Sequence, residues 1–179
     1  MTSVTQQKGL RGILKGFFRP RGASGPSPST DVLSAPLEGR GGRAATVEVS
    51  PPRKDALRIT YAPDHDGDPD AGEIIWTWVP YAENDGRGKD RPVLVIGRQS
   101  DERVYAVRLT SRSHDGDRDF LGLGTGDWDA QGRPSWVDVE QLYSVHRDGM
   151  RREAAALDLD RFVRVADALH RRYGWAVGS

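Results

Sequence analysis

The sequence contains no cysteine. That excludes a disulfide framework, a thiolate zinc site and a thiol nucleophile. It has no excess charge of either sign, with 26 basic and 26 acidic side chains. Any nucleic-acid-binding surface, for RNA or DNA, is therefore expected to be local, because the chain as a whole does not attract a polyanion. No apolar run is long enough to span a bilayer. The N-terminal basic residues are not followed by a continuous apolar segment and a small-residue cleavage site. These absences predict a cytoplasmic protein without a membrane span.

Large apolar residues are scarce between Phe18 and Ala71, where "RGASGPSPST" and "EGRGGRAA" concentrate Gly, Ser and Pro. Little surface can be buried there against the entropy of ordering. Residues 1–70 are accordingly expected to form a mobile tail, with "DHDGDPDAG" as its final linker and 71–175 as the folded domain. Within the tail, Leu10, Ile13, Leu14, Phe17 and Phe18 recur at helical spacing among Lys8, Arg11, Lys15 and Arg19. This basic amphipathic segment, 8–19, suits a membrane surface, RNA or a partner. Three glycines inside it weigh against a helix in isolation.

All five tryptophans lie between Gly72 and Trp175. "GEIIWTWVP" reads as a strand with Ile74, Trp76 and Trp78 on one face and Ile75, Thr77 and Val79 on the other. A charged loop, Tyr81–Asp90, leads to "PVLVIGR". The short turn "QSDE" leads to "RVYAVRLTS", with Val104, Ala106 or Val107, and Leu109 as core candidates. "FLGLGTGDW" is a glycine-bearing strand with a bulge. "SWVDVEQLYSV" turns inward either Trp136 or Val137 and Val139. "REAAAL" fits a short helix or an edge strand. Asp158 caps a helix whose apolar positions are Leu159, Phe162, Val163, Ala166, Leu169 and Tyr173, and Gly174 stops it. The predicted fold is mainly β with accessory helices: a small barrel-like sheet carrying one C-terminal amphipathic helix.

Chemistry is expected at one rim. Pro92 has no N–H to give to a ladder, so it is expected to open its strand and to hold Arg91 extended at the entrance. If "QSDE" joins a hairpin, Arg91 lies beside Thr110 and Ser111 at the end of the next strand. Glu83, Asp85, Arg87 and Lys89 hang over the same rim. A guanidinium and hydroxyls suit a phosphate, and a loop carboxylate can take a proton. The same spacing equally serves a threonine on an edge backbone group and an arginine in a surface ion pair. His114, within "SHDGDRD", lies in the following loop. The "GLGTG" glycines lack a phosphate-loop fingerprint, and "DHDGDPD" fails the calcium-loop pattern.

In order, "GEIIWTWVP", "GKDRPVLVIGR", "VYAVRLTS", "GRPSWVDVEQLYSV" and "LDLDRFVRVADALHRRYGW" resemble the MazF/PemK family of toxins from type II toxin–antitoxin modules. The resemblance covers about Gly72 to Trp175. It implies an SH3-like (MazF/CcdB-type) barrel, usually a homodimer, neutralised by a cognate antitoxin. The implied activity is a sequence-selective endoribonuclease on single-stranded RNA, needing neither metal nor cofactor. The ribose 2′-OH attacks its own phosphodiester, leaving 2′,3′-cyclic phosphate and 5′-OH ends. By position Arg91 matches the family's catalytic arginine and Thr110 its threonine. Ser111 supports the phosphate contact. Glu83 or Asp85 falls where some members place an acidic residue that contacts RNA. His114 is a substitute acid or base. Residues 71–179 carry 16 Lys/Arg against 18 Asp/Glu, so attraction for RNA is confined to one groove. Two alternatives are a CcdB-like poison of a protein such as gyrase, acting through Arg171 and Trp175, and a non-catalytic RNA- or protein-binding barrel.

Overall fold

The computed structural model describes residues 40–178 apart from 65 and 84, and of 152 and 153 the backbone alone. The amphipathic segment 8–19 lies outside the described residues. The chain runs β1 (Val47–Val49), β2 (Arg58–Ile59), β3 (Glu73–Pro80), β4 (Gly88–Arg98), β5 (Arg103–Thr110), β6 (Phe120–Gly124), β7 (Ser135–His146) and β8 (Met150–Ala156). Helix α1 (Leu159–Tyr173) and β9 (Ala176–Val177) follow. Short 3₁₀ turns precede β1 and join β7 to β8.

One sheet has the order β1-β7-β5-β4-β3-β8, with β6 also paired to β7. A second, two-stranded parallel sheet joins β2 to β9. All pairings in the large sheet are antiparallel. "REAAAL" belongs to the edge strand β8. The glycine-bearing strand β6 does bulge, its register against β7 shifting between Gly122 and Gly124.

The sheet is buried on both faces. Leu94, Ile96, Val107, Leu109, Val137 and Val139 pack with Phe162, Val165, Ala166 and Leu169 of α1. Ile75, Val79, Val93, Val95, Val104, Ala106, Tyr143 and Val145 form a separate inner core. Two-sided burial explains why β4 and β5 read as nearly continuous apolar runs, and why both Ala106 and Val107 are core residues. The inner face is enclosed because the sheet rolls. Thr46, just before β1, lies with its Oγ1 2.6 Å from Oγ1 of Thr77 in β3, and the Thr77 hydroxyl donates to Gly149 O at 3.0 Å. A side-chain bond, not a backbone ladder, draws these parts of the sheet together. The structure is thus a rolled sheet, and among the described residues β1 and β8 do not pair.

Helix α1 is capped as its sequence predicts. Asp158 Oδ1 accepts from Arg161 N at 3.0 Å, and Gly174 adopts φ 73°. Its buried stripe is rotated from the expected one. Val165 is buried, whereas Leu159 is 52% and Val163 43% exposed.

Residues 40–70 are not a tail. Leu57 and Ile59 are buried in the helix-side core, and Trp175 Nε1 donates to Pro52 O at 3.0 Å. Glu73 accepts the backbone N–H groups of Asp64 and Asp70, fixing the acidic loop before β3. The few apolar residues here suffice because the folded domain supplies the surface they cover. Ile59→Ala is accordingly expected to lower the unfolding free energy by about 2–5 kcal/mol. Denaturant unfolding checks this, and an unchanged midpoint would return the segment to the solvent.

Candidate active site

Strand β4 begins at Gly88, so Arg91 lies inside the strand, paired with Thr77, and Pro92 pairs with Trp76. The expectation that Pro92 opens the strand is corrected. The proline is accommodated on a stretch that the β5 ladder does not reach, since that ladder starts at Val93↔Arg108. Continuing this register two residues brings Arg91 level with Thr110. The alternation of the cores fixes their direction. Val93 and Val95, and Val104 and Ala106, belong to the inner face. Arg91 and Thr110 continue those two rows to the mouth of that face.

A cleft of about 110 Å³ opens at this end of the strands and reaches across the rim to the helix side, where Leu109 and Trp128 of the helix-side core border it. Arg91, Thr110, Ser111 and Lys89 line it together with Trp76, Asp90, Trp128, Asp129, Arg133 and Ser135. Arg91 makes no side-chain hydrogen bond or ion pair among the described residues. The Thr110 Oγ1 accepts from Arg112 N at 3.2 Å, which leaves its O–H proton available. Hence, among the described residues, a cation without a side-chain partner and a hydroxyl with its proton unused line one cleft, an arrangement able to hold a phosphodiester and the charge that builds on its oxygens.

The other expected residues are placed elsewhere. Asp85 and Arg87 bind each other: Arg87 Nε donates to Asp85 Oδ2 at 2.7 Å, and Arg87 N to Asp85 Oδ1 at 3.0 Å. Arg87 instead borders a concavity with Arg40 and Trp78. Glu83 is exposed and does not line the cleft. His114 stacks on Phe120 with ring centroids 3.5 Å apart, its Nδ1 3.4 Å from Asp117 Oδ2. It too lies outside the cleft lining. The remaining acids of that loop are engaged. Asp115 accepts from Ser113 Oγ at 2.9 Å and Trp136 Nε1 at 3.3 Å, and Asp119 pairs with Arg172 at 2.6 Å.

The far wall was not read from the sequence. Trp128 is buried and donates through Nε1 to Ser135 Oγ at 3.0 Å. A Cβ on Gly126 would fall 2.0 Å from the indole, so glycine is required to let the ring lie there. The adjacency of Gly126 and Trp128 and the "RPS" stretch at Arg133–Ser135 are the signals that mark this wall. Asp129 is held below the usual carboxylate range by the hydrogen bond from Arg133 and by Gln131 N–H.

Tyr143, at the base of the inner face, donates to Gln141 Oε1 at 3.0 Å. Burial pushes its phenol up to about 12, against the opposing pull of Arg108 and Arg91.

Residues 70–172 match the family model of PemK-like, MazF-like toxins of type II toxin–antitoxin systems. That stretch is more than half of the chain, and the chain belongs to this family. β1, β2 and β9 lie outside it. Among curated proteins none matches significantly. Solved structures with similar folds include MazF from Deinococcus radiodurans, 23% identical, with 60% of this chain and 97% of that one covered at TM-score 0.47. The MazE–MazF complex of the same organism shows 22% identity, 59% and 96% coverage and TM-score 0.46. An endoribonuclease from a mycobacterial species shows 15% identity, 60% and 93% coverage and TM-score 0.47. No helix among the described residues is long and apolar enough to cross a membrane.

The raised phenol gives a prediction with a definite sign. Tyr143 keeps its proton in the folded state to about pH 12, above the unfolded value near 10. The stability tied to it is complete below pH 10 and is lost as pH rises from 10 through 12. Burial also raises Tyr173, so absorbance titration of the phenolates should show late-ionising phenols, one of which is missing in Tyr143→Phe.

Proposed function

We propose that the protein is a metal-independent, sequence-selective endoribonuclease that cuts single-stranded RNA and is neutralised by a cognate antitoxin. The observation that carries this is Arg91: a guanidinium with no side-chain partner among the described residues, on the inner face, level with the Thr110 hydroxyl. Family membership supplies the biological setting. In the reaction the substrate brings its own nucleophile, the ribose 2′-OH. The protein has to align that oxygen with the phosphorus and the departing 5′ oxygen, and to stabilise charge on the non-bridging oxygens.

Arg91 clamps those oxygens, and Thr110 donates its free O–H to one of them. Ser111, exposed at the end of β5, adds a hydroxyl from the same rim. Lys89, two residues from Arg91 along β4, contributes positive charge where the chain enters the cleft. Trp76 borders the cleft and is half-buried. The reactive unit is completed by homodimerisation in this reading, and the activity is cytoplasmic.

The rival based on a CcdB-like surface loses one of its two residues. Trp175 is fully buried, stacked on Tyr173 with centroids 4.4 Å apart, and is not available to a protein target.

Purified protein with EDTA present is expected to leave 2′,3′-cyclic phosphate and 5′-OH ends at a short recurrent motif. Arg91→Ala should lose roughly 10²–10³-fold in kcat, the effect typical of removing one preorganised donor to a developing oxyanion. Because Arg91 has no side-chain partner among the described residues, the variant's melting temperature should stay within about 2 °C of the parent. Thr110→Val should lose less. Absence of any cut in several long RNAs would overturn the reading.

A further inference from the structure

A second arginine stands beside the proposed catalytic pair. In β5, Val107 and Leu109 face the helix-side core and Val104 and Ala106 the inner core. Arg108 and Thr110 therefore share the inner side. Arg108 pairs with Val93, two residues from Arg91 on β4. Arg91 and Arg108 are thus diagonal neighbours on one face, a spacing of about 7–8 Å between backbones. Both exert a field on the phenol of Tyr143, itself a residue of the inner core.

Arg108 is fixed in place, unlike Arg91. Its Nε lies 2.9 Å and its Nη2 2.8 Å from Asp138 Oδ2. Asp138 is only 2% exposed, and its other oxygen accepts Glu140 N–H at 2.9 Å and Gln141 N–H at 3.2 Å. This carboxylate sits where the pairing of β7 with β5 slips, between Val107↔Leu142 and Leu109↔Val137. One buried acid thus pins the slipped segment of β7 and aims a guanidinium. The Arg108 side chain remains 27% exposed, and its Nη1 has no partner among the described residues.

We propose that Arg108, aimed by Asp138, forms a second phosphate subsite that takes the phosphodiester next to the one held by Arg91. The inference rests on the ribonuclease reading above and deepens it: the substrate is recognised through two neighbouring phosphates. A guanidinium whose fork is already held loses less freedom on binding than a mobile one. Its role is to position the strand, so its removal should weaken binding more than turnover.

The experiment measures binding and cleavage of an RNA that the wild type cuts, using the full chain. Affinity is read by fluorescence anisotropy on the same RNA with a 2′-deoxy sugar at the cleaved position, across a range of salt. Arg108→Gln with Asp138→Asn removes both charges together, so no lone buried carboxylate is left. It is expected to raise Kd and KM about tenfold, with a smaller change in kcat. The slope of log Kd against log salt should fall by about 0.7, the value of one phosphate contact to a single strand. Arg108→Lys keeps the charge and loses the fork. It should fall between the two, and it decides the matter if the double variant does not fold.

Unchanged KM and salt slope in a folded variant, with the wild type cutting normally, would overturn the subsite alone and leave Arg108 as a brace for β7. A wild type that neither binds nor cuts RNA would overturn the ribonuclease reading and the subsite together.

Discussion

The register between β4 and β5 is the constraint on which the rest of the structure depends. Over Val93–Ile96 of β4 and Val104–Leu109 of β5 apolar side chains are buried on both faces, committed in alternation to one core or the other. A slip of one residue would exchange the two apolar sets and turn Arg91 and Thr110 away from the inner face. The turn at 99–102 sets this register. Gln99 N and Ser100 N both donate to Arg103 O, at 2.9 and 3.0 Å. Two-sided burial then enforces it over the length of the strands, so the chemistry at the open end is positioned by packing some distance away. Pro92 marks where the double ladder stops and one side of β4 becomes available to a ligand.

Enclosure of the inner face depends on small polar side chains. Thr46 and Thr77 are both buried, and their hydroxyls form a chain that ends on Gly149 O. In such surroundings an unpaired hydroxyl is costly, so the chain of bonds holds only when the sheet is rolled enough to bring all three together. The segment before β1 is held by further polar contacts. Arg103 donates to Ser144 Oγ at 2.9 Å and to Ala45 O at 3.1 Å, and Arg43 pairs with Glu102. This strip lies outside the family match, yet it supplies one wall of the inner core's enclosure.

Much of this could be read from the residues. The long β-branched runs, the capping aspartate and the closing glycine fixed β3, β4, β5 and α1, and the hairpin at 99–102 brought Arg91 to Thr110. What escaped has physical reasons. β1, β2 and β9 have three, two and two residues, too few to show a period, and they exist only because a larger surface receives them. The exposed Leu159 and Val163 carry apolar side chains at helical spacing, and spacing alone cannot separate a stripe that is buried from one shifted by a residue. Asp85 and Arg87 were expected over the rim, but two residues of opposite charge two positions apart satisfy each other first. Asp138 carries no local signal at all. Its meaning lies in a strand slip that only three-dimensional pairing reveals.

Near-neutral charge is compatible with a polyanion once the partition of that charge is considered. Several acids near the cleft are engaged: Asp129 with Arg133, Asp90 with Arg151, Asp119 with Arg172, and Asp115 with Ser113 and Trp136. Such pairs nearly cancel at the distance of a passing RNA strand, particularly under physiological screening. Arg91 has no such counter-charge among the described residues, and Lys89 stands beside it. The field felt at the cleft is therefore set by the few cations left unpaired there, and the balanced total over the chain says little about it. Pairing the acids elsewhere also discourages non-specific binding along the rest of the surface, so attraction and selectivity come from the same distribution of charge.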